Sequence, residues 1–267
     1  MLALRSGRAL IRIDRAGTGD SEGPDCSALD YDTEVRHYAE SFGQLARHSW
    51  VDPKRIVIFG SSLGATIAPL VAQGRSVAGV IVQGGGALSY LERMINFDRF
   101  WFERSGRFPP SEVHDRVLNS IRFNQAYLFG RKMPAQVEAE QPDLRGVWAS
   151  MRGTAEAPPH YGRPHAWHWQ AAAKNFLAAW TRVRAPILVL WGEHEQFEPR
   201  HGHQMIVDAV NGLRPGTATF VELKGVDHSL VRYTSAYSAY REEGGTADRE
   251  ALVTPVLEWL GRISEPG

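Results

Sequence analysis

Short apolar runs alternate with amphipathic stretches along most of this chain, and the alternation predicts its secondary structure. Five apolar runs rich in β-branched residues or leucine predict strands, at 9–13, 55–59, 77–83, 186–191 and 218–223. Stretches with apolar residues at helical spacing predict helices, at 31–48, 62–73, 199–212 and 248–262. Strands that alternate with helices favour an α/β fold, a mostly parallel sheet with helices on both faces.

The alternation stops between residues 87 and 184, where about 100 residues separate two predicted strands. A connection between a strand and a helix needs far fewer residues, so we expect residues 1–86 and 185–267 to form the core and 87–184 to form a separate helical unit. Within this unit the pattern predicts three helices, at 87–104, 111–129 and 165–182.

Many aromatic residues lie in this helical unit, and we expect most of them to form its own small core. A minority could line a substrate pocket, because such pockets are largely walled by apolar and aromatic side chains. The sequence offers four weak candidates for that role: Trp101, Phe102, Trp167 and Trp169.

The most informative motif is Gly60-Ser61-Ser62-Leu63-Gly64, between a predicted strand and a predicted helix. In that setting a G-x-S-x-G sequence forms a sharp turn that presents its serine hydroxyl. Glycines on either side let the strand and the helix approach closely. We therefore predict Ser62 as a nucleophile and the backbone N–H of Leu63 as an oxyanion donor. The alternative interpretation is an ordinary turn rich in glycine and serine.

An acid and a base follow Ser62 in chain order. Glu195 comes just after the fourth predicted strand, and His228 lies in the loop beyond the fifth. A serine hydroxyl needs an adjacent base, which an imidazole supplies near neutral pH. A carboxylate then fixes the imidazole tautomer. We predict the triad Ser62, His228 and Glu195. Three nearby carboxylates are weaker alternatives for the acid: Glu193, Glu198 and Asp227.

Together these motifs resemble the α/β-hydrolase superfamily, particularly its serine-aminopeptidase-like (S33-type) and small-esterase branches. The resemblance covers about residues 8–262. It rests on four segments: the motif at 60–64, the G-x-x-[DE] turn at 192–195, the G-x-x-H turn at 225–228 and a loop at 14–23. That loop is similar to the family's D-x-R-G-x-G-x-S-x-G sequence, with Ala16 in place of the usual Arg. The family also has Asp more often than Glu at position 195. The resemblance implies an α/β-hydrolase fold in which 87–184 is a cap over the active site.

The resemblance also implies strands that this sequence does not supply. In the family a third strand lies between those at 9–13 and 55–59, and the loop after it carries an H-G motif with the second oxyanion donor. We therefore expect a gap of roughly 9–10 Å between these two strands. A longer chain, a partner segment or a second copy would fill it, or the two strands would pair directly. In the last case a backbone N–H near Gly17 or Gly84 would complete the oxyanion hole.

Composition excludes several classes of function. The 267 residues carry 30 Lys and Arg against 30 Asp and Glu, which offers no electrostatic basis for binding nucleic acid or an anionic membrane. The single cysteine, Cys26, allows no internal disulfide. With no signal-peptide pattern and no apolar stretch of about 20 residues, the expected location is cytoplasmic.

The other residues with metal-binding or cofactor chemistry form no recognisable site. The histidines form two groups in the sequence. The first is His160, His165 and His168, and the second is His201 and His203. Neither group is accompanied by carboxylates at a spacing typical of a metal site. Gly84-Gly85-Gly86 lacks the sequence of a dinucleotide site and more simply gives clearance near Ser62. We expect no metal and no organic cofactor.

These observations predict a serine hydrolase that cleaves an ester or amide bond of a small, fairly apolar substrate through an acyl-enzyme. An aminopeptidase or a thioesterase would use the same residues. The alternative from another class is a non-catalytic or partner-dependent subunit without a complete oxyanion hole. A complementing N-terminal segment or a homo-oligomer is the expected kind of protein partner.

Overall fold

A computed structural model describes residues 2–153 and 161–264, and their main sheet is parallel throughout. Its four strands lie in the order β1 (Val57–Ser61), β2 (Gly79–Gln83), β3 (Ile187–Gly192) and β4 (Ala218–Leu223). A separate antiparallel pair joins β5 (Val231–Arg232) and β6 (Thr246–Ala247). The α/β fold and four of the five predicted strands are therefore confirmed.

Helices occupy most of the sequence between these strands. In chain order they are α1 (Leu2–Ser6), α2 (Tyr31–Leu45), α3 (Gly64–Ala72), α4 (Tyr90–Arg104), α5 (Pro110–Asn124), α6 (Pro134–Glu140), α7 (Val147–Ser150), α8 (His165–Ala172), α9 (Phe176–Arg182), α10 (Arg200–Leu213), α11 (Ala236–Arg241) and α12 (Glu250–Ser264). The helix predicted at 165–182 is divided into α8 and α9, and the one predicted at 111–129 ends in a π-helical turn at Gln125–Phe129. The other predicted helices are confirmed, with ends shifted by a few residues.

The two faces of the sheet carry two apolar clusters, because successive side chains of a strand point in opposite directions. Val80 and Val82 of β2 belong to a cluster that includes residues of α3, α9 and α10. Ile81, between them, belongs to a second cluster with residues of α12. Helices therefore cover both faces of the sheet, as the sequence predicts.

The strand predicted at 9–13 is wrong. This segment has no regular secondary structure, and Leu10 and Ile11 are 67% and 44% exposed. An apolar run becomes a strand only where a neighbouring strand accepts its backbone hydrogen bonds, and none of the described strands pairs with it. A side chain makes the contact instead, since the Arg8 guanidinium donates to the carbonyl of Arg55 at 2.8 Å. The expected gap between two strands therefore does not arise, and β1 is an edge strand of the sheet.

The chain divides into two compact units whose limits differ from those expected from the sequence. The first comprises Met1–Arg12, Ala39–Ala87 and Phe176–Gly267, and the second comprises Ile13–Tyr38 and Leu88–Asn175. Residues just after 175 belong to the first unit because Trp180 and Val183 pack in the apolar cluster of the sheet. Residues 13–38 belong to the second because Tyr31 and Glu34 are buried against its other residues, as follows.

An aromatic and charged core holds the second unit together. Trp167 is fully buried, and its indole N–H donates to the Glu34 carboxylate at 2.8 Å. Tyr31 lies edge-on to the Trp167 ring, with 5.1 Å between centroids. Arg163, also buried, pairs with Glu34 at 3.2 Å. A buried carboxylate needs such partners, because an unpaired charge in the interior is costly.

The four aromatic residues singled out in the sequence have different environments. Phe102 and Trp167 are fully buried within the second unit, so they belong to its core. Trp101 is partly exposed, with the Arg152 guanidinium 4.4 Å from its ring centroid. Trp169 is also partly exposed. Within the described residues, no helix is long and apolar enough to cross a membrane.

Candidate active site

Ser62 lies on a strained turn between β1 and α3. Its φ is 52°, in the left-handed region that residues other than glycine seldom adopt. Two backbone hydrogen bonds hold the turn: the Ser62 N–H donates to the Gln83 carbonyl at 2.8 Å, and the Ala65 N–H donates to the Ser62 carbonyl at 3.0 Å. Strain of this kind occurs at functional sites, where the surrounding structure maintains it.

The two glycines of the motif do not have the same role. A Cβ on Gly60 would lie 2.5 Å from the carbonyl oxygen of Gly64, so the close approach of β1 and α3 requires glycine there. A Cβ on Gly64 would meet no atom within 4 Å. The prediction that both glycines provide clearance is therefore correct for the first and wrong for the second.

The structure brings the three predicted triad residues together. His228 Nε2 lies 3.0 Å from Ser62 Oγ, and His228 Nδ1 lies 2.5 Å from Glu195 Oε2. The Glu195 side chain is fully buried, whereas the His228 side chain is 20% exposed. A carboxylate at Nδ1 accepts a hydrogen bond from the Nδ1–H, which keeps that proton on Nδ1 and leaves Nε2 free to accept the proton of the serine hydroxyl.

Backbone groups hold the Glu195 carboxylate in place. The turn after β3 closes through a hydrogen bond of 3.0 Å from the Glu195 N–H to the Gly192 carbonyl. Oε1 accepts from the N–H groups of Phe197 and Glu198, at 2.8 and 3.2 Å. Because Oε1 is occupied in this way, Oε2 is directed at the imidazole.

The three alternative acids have other contacts. The Glu193 carboxylate accepts from the Gly225 N–H at 2.8 Å, and this hydrogen bond lowers its pKa. Asp227 Oδ1 accepts from the N–H groups of Ser229 and Val231 at 2.9 and 2.8 Å, which shapes the loop that carries His228. Glu198 is buried, and its Oε2 lies 3.4 Å from the Gly86 nitrogen. Of the four carboxylates, Glu195 is the one whose contact with the His228 ring the structure shows.

Glycines of the segment after β2 provide clearance around the triad, as the sequence predicts. Gly84 has φ +62°, and a Cβ there would lie 3.1 Å from the His228 ring. A Cβ on Gly85 would lie 2.7 Å from the Ser62 carbonyl oxygen. The Phe197 ring lies edge-on to the imidazole, with 5.2 Å between centroids.

Leu63 lies at the start of α3, directly after Ser62. The first N–H groups of a helix have no acceptor within the helix, and they favour negative charge. The N–H groups of Gly17 and Gly84 themselves are already engaged, since the first donates to the Ser21 carbonyl at 3.1 Å and the second to the Leu190 carbonyl at 3.3 Å. A second oxyanion donor near one of these two glycines stays a prediction.

Three of the other histidines make contacts through Nδ1. His165 and His168 accept or donate hydrogen bonds at Nδ1 with the hydroxyls of Tyr127 and Tyr90, at 3.0 and 2.7 Å. Burial lowers the pKa of His165. His203 is buried in α10, with Nδ1 3.2 Å from the Pro199 carbonyl oxygen. His160 lies outside the described residues.

Gly84→Ala tests how closely the backbone fits the imidazole. The new methyl group would press on the His228 ring, so we expect kcat to fall by roughly 10- to 100-fold, as small displacements of reacting groups commonly cause. Stability should fall by about 1–2 kcal/mol because the residue is left-handed. Gly74→Ala is the matched control, since Gly74 has φ +72° and no neighbour within 4 Å of the added Cβ. Hydrolysis assays and thermal melts should show a loss of kcat in Gly84→Ala alone, and a loss of stability in both variants that is no smaller in Gly84→Ala. Equal kcat values would contradict the argument.

Comparison with known proteins gives a family model and a set of distant solved structures. The model, described as "Alpha/beta hydrolase family", matches residues 1–240. None of the curated proteins matches the sequence significantly.

Three of the similar solved structures illustrate the likeness. An esterase from Pyrococcus furiosus has a TM-score of 0.57 and 13% identity, covering 99% of this chain and 73% of its own. A thermophilic esterase from Thermogutta terrifontis has a TM-score of 0.50 and 17% identity, covering 94% and 79%. MenH from S. aureus has a TM-score of 0.51 and 14% identity, covering 95% and 83%. At such low identity the likeness shows the fold alone.

Proposed function

This chain belongs to the alpha/beta hydrolase family, and we propose on that premise that it is a serine hydrolase that cleaves an ester bond of a small, fairly apolar substrate. Family membership supports hydrolysis in general. The more specific proposal rests on one observation, the hydrogen-bonded series Ser62 Oγ, His228 and Glu195, with separations of 3.0 and 2.5 Å. Side chains in this arrangement can activate a hydroxyl that is otherwise a weak nucleophile.

In the proposed reaction, Ser62 Oγ attacks the carbonyl carbon of the ester while His228 Nε2 takes the hydroxyl proton. Throughout the reaction, Glu195 accepts a hydrogen bond from the Nδ1–H of His228 and stabilises the imidazolium. The Leu63 N–H donates to the oxyanion of the tetrahedral intermediate. His228 then returns its proton to the departing alcohol, which leaves an acyl group on Ser62. Water, deprotonated by His228, attacks the acyl carbon. The bond to Ser62 Oγ breaks, the carboxylic acid is released, and His228 returns its proton to Ser62 Oγ.

A fluorophosphonate probe tests the proposal directly, because it phosphonylates an activated serine. We expect one adduct, located on Ser62 by peptide mass spectrometry, and turnover of p-nitrophenyl esters. Parallel assays with p-nitroanilides and acyl thioesters separate an esterase from a peptidase or a thioesterase. A folded chain that forms no adduct and hydrolyses none of these substrates would contradict the proposal and favour a non-catalytic subunit.

We further propose that the second unit acts as a cap that selects the substrate. Its longer segment, Leu88–Asn175, enters the chain directly after the glycines that follow β2. Its partly exposed Trp101 and Trp169 offer the large apolar surfaces that substrate pockets use. Deleting this longer segment is a poor test, because Tyr31 and Glu34 of the unit's shorter segment would lose their buried partners.

Single substitutions test the cap proposal more sharply. The two variants are Trp101→Ala and Trp169→Ala, made separately. In at least one of them, kcat/KM should fall by roughly 10-fold more for hexanoyl esters than for acetyl esters, because the loss of apolar contacts disfavours longer acyl chains. Trp50→Ala is the control, because Trp50 lies in the first unit and is 61% exposed. If both variants keep the chain-length preference of the unmodified protein, the proposed role of these residues is wrong.

A further inference from the structure

We propose that Gln83 is a positioning residue whose side-chain amide ties the loop carrying His228 to the end of the sheet beside Ser62. This inference rests on the proposed function, because it assigns Gln83 a role in presenting the base to the nucleophile. Gln83 is the last residue of β2 and only 3% exposed.

The Gln83 amide donates a hydrogen bond through its nitrogen and accepts one through its oxygen. Nε2 donates to the backbone carbonyl of His228 at 3.1 Å. Oε1 accepts from the Ser61 hydroxyl at 2.6 Å. The second bond orients the amide so that the first can form, and an amide is one of the few side chains that can donate and accept at once. The side chain therefore links the residue before the nucleophile to the residue that supplies the base.

The backbone of the same segment contacts the other side of the triad. The Gln83 carbonyl accepts the Ser62 N–H at 2.8 Å, which helps to hold the strained turn. The next residue, Gly84, leaves room for the His228 ring. One position at the end of β2 thus contacts Ser62 through its main chain and His228 through its side chain.

The bond to the His228 carbonyl matters because the loop reaches this strand from farther along the sheet. The loop follows β4, whereas β2 is separated from β4 by β3. Asp227 shapes the loop internally, and the His194 N–H bonds the Val226 carbonyl from the turn after β3 at 2.9 Å. The Gln83 amide adds an anchor at His228 itself. Without it, a small shift of the imidazole would lengthen the contact with Ser62 Oγ, and such misplacement lowers the rate steeply.

The central experiment compares Gln83→Glu and Gln83→Leu with the unmodified protein. Glutamate keeps the size of the side chain and the acceptor for Ser61, but its ionised form places a second oxygen against the His228 carbonyl. We expect kcat for a p-nitrophenyl ester to fall by roughly 10- to 100-fold in both variants, with KM changed by less than about 2-fold. For Gln83→Glu, the ratio of its kcat to that of the unmodified protein should rise as pH falls, because a protonated carboxyl donates again. A role in folding alone would produce neither the kcat-specific loss nor this pH dependence.

Two controls separate the anchor from general effects. Ser61→Ala keeps the donor to His228, so its kcat should fall less than that of Gln83→Leu. Gln204→Leu removes an amide of α10 that bonds Asp208, and we expect its kcat to equal that of the unmodified protein. Cooperative thermal melts show that Gln83→Leu and Gln83→Glu are folded. If the leucine variant does not fold, the kcat and the pH dependence of the glutamate variant test the role of Gln83.

A second measurement judges the anchor without relying on activity. Amide hydrogen exchange of residues 226–231 should be roughly 10-fold faster or more in Gln83→Glu, while exchange in β3 stays unchanged. If the unmodified protein fails to react with the fluorophosphonate, the proposed function is wrong, and exchange still shows whether Gln83 anchors the loop. A folded Gln83→Glu variant with unchanged exchange or unchanged kcat would overturn the inference.

Discussion

Replacement of Ser62 by alanine is expected to abolish fluorophosphonate labelling and to lower kcat for ester hydrolysis by roughly 10⁴- to 10⁶-fold. In the proposed reaction the hydroxyl oxygen forms the acyl-enzyme, and the Ser62 hydroxyl is the group of this turn that lies 3.0 Å from the base, His228. The measurement is the rate of p-nitrophenyl ester hydrolysis, together with mass spectrometry of the labelled protein. Ser61→Ala, one residue earlier, controls for the loss of a hydroxyl and should keep its labelling.

Ser62→Gly should distinguish catalysis from stability at the same position. Glycine removes the nucleophile as completely as alanine, but it adopts a φ of 52° without steric cost. We expect it to be as inactive as Ser62→Ala and more stable than that variant by about 1 kcal/mol in urea unfolding. An alanine variant that still forms the adduct would contradict the assignment of Ser62.

Replacement of Glu195 by glutamine is expected to lower kcat by roughly 10³- to 10⁴-fold. A glutamine amide facing Nδ1 can donate a hydrogen bond, which favours the tautomer with the proton on Nε2 and leaves that nitrogen unable to accept from Ser62. The buried carboxylate would also no longer stabilise the imidazolium. Steady-state kinetics of the purified variant provide the measurement, with a thermal melt to show that it is folded.

Glu193→Gln and Glu198→Gln are the matched controls, because the three carboxylates lie within six residues of one another. In each control a glutamine oxygen can still accept the backbone hydrogen bond from Gly225 or Gly86. We expect losses of less than about 10-fold in kcat, since neither side chain bonds the triad histidine in the predicted mechanism. A loss at Glu198 equal to that at Glu195 would transfer the acid role to Glu198.

Much of this protein could be predicted from the sequence because the relevant signals are local. The motif at 60–64 lies between a strand and a helix, and both elements are confirmed by the structure. The apolar runs that form β2 and β3 are buried on both faces, so their composition identifies them without knowledge of their neighbours. The chain order of serine, glutamate and histidine led to three residues that the structure brings within hydrogen-bond distance.

The interactions between distant segments could not be predicted in this way. The run at 9–13 has the composition of a strand, but none of the described strands pairs with it, and its predicted secondary structure is wrong. Residues 13–38 belong with 88–175 because Glu34 meets Arg163 and Trp167, which are far away in sequence. No local pattern indicates such a pairing.

The sequence by itself determined the family, the strand-turn-helix element that carries Ser62, and the order of the residues with catalytic chemistry. Only the tertiary structure decided which of the four candidate carboxylates meets His228, which backbone N–H groups are already engaged, and that Gln83 contacts the loop that carries His228. The physical reason is that secondary structure follows from the propensities and periodicity of neighbouring residues, whereas hydrogen bonds between loops depend on the positions to which the whole fold brings them.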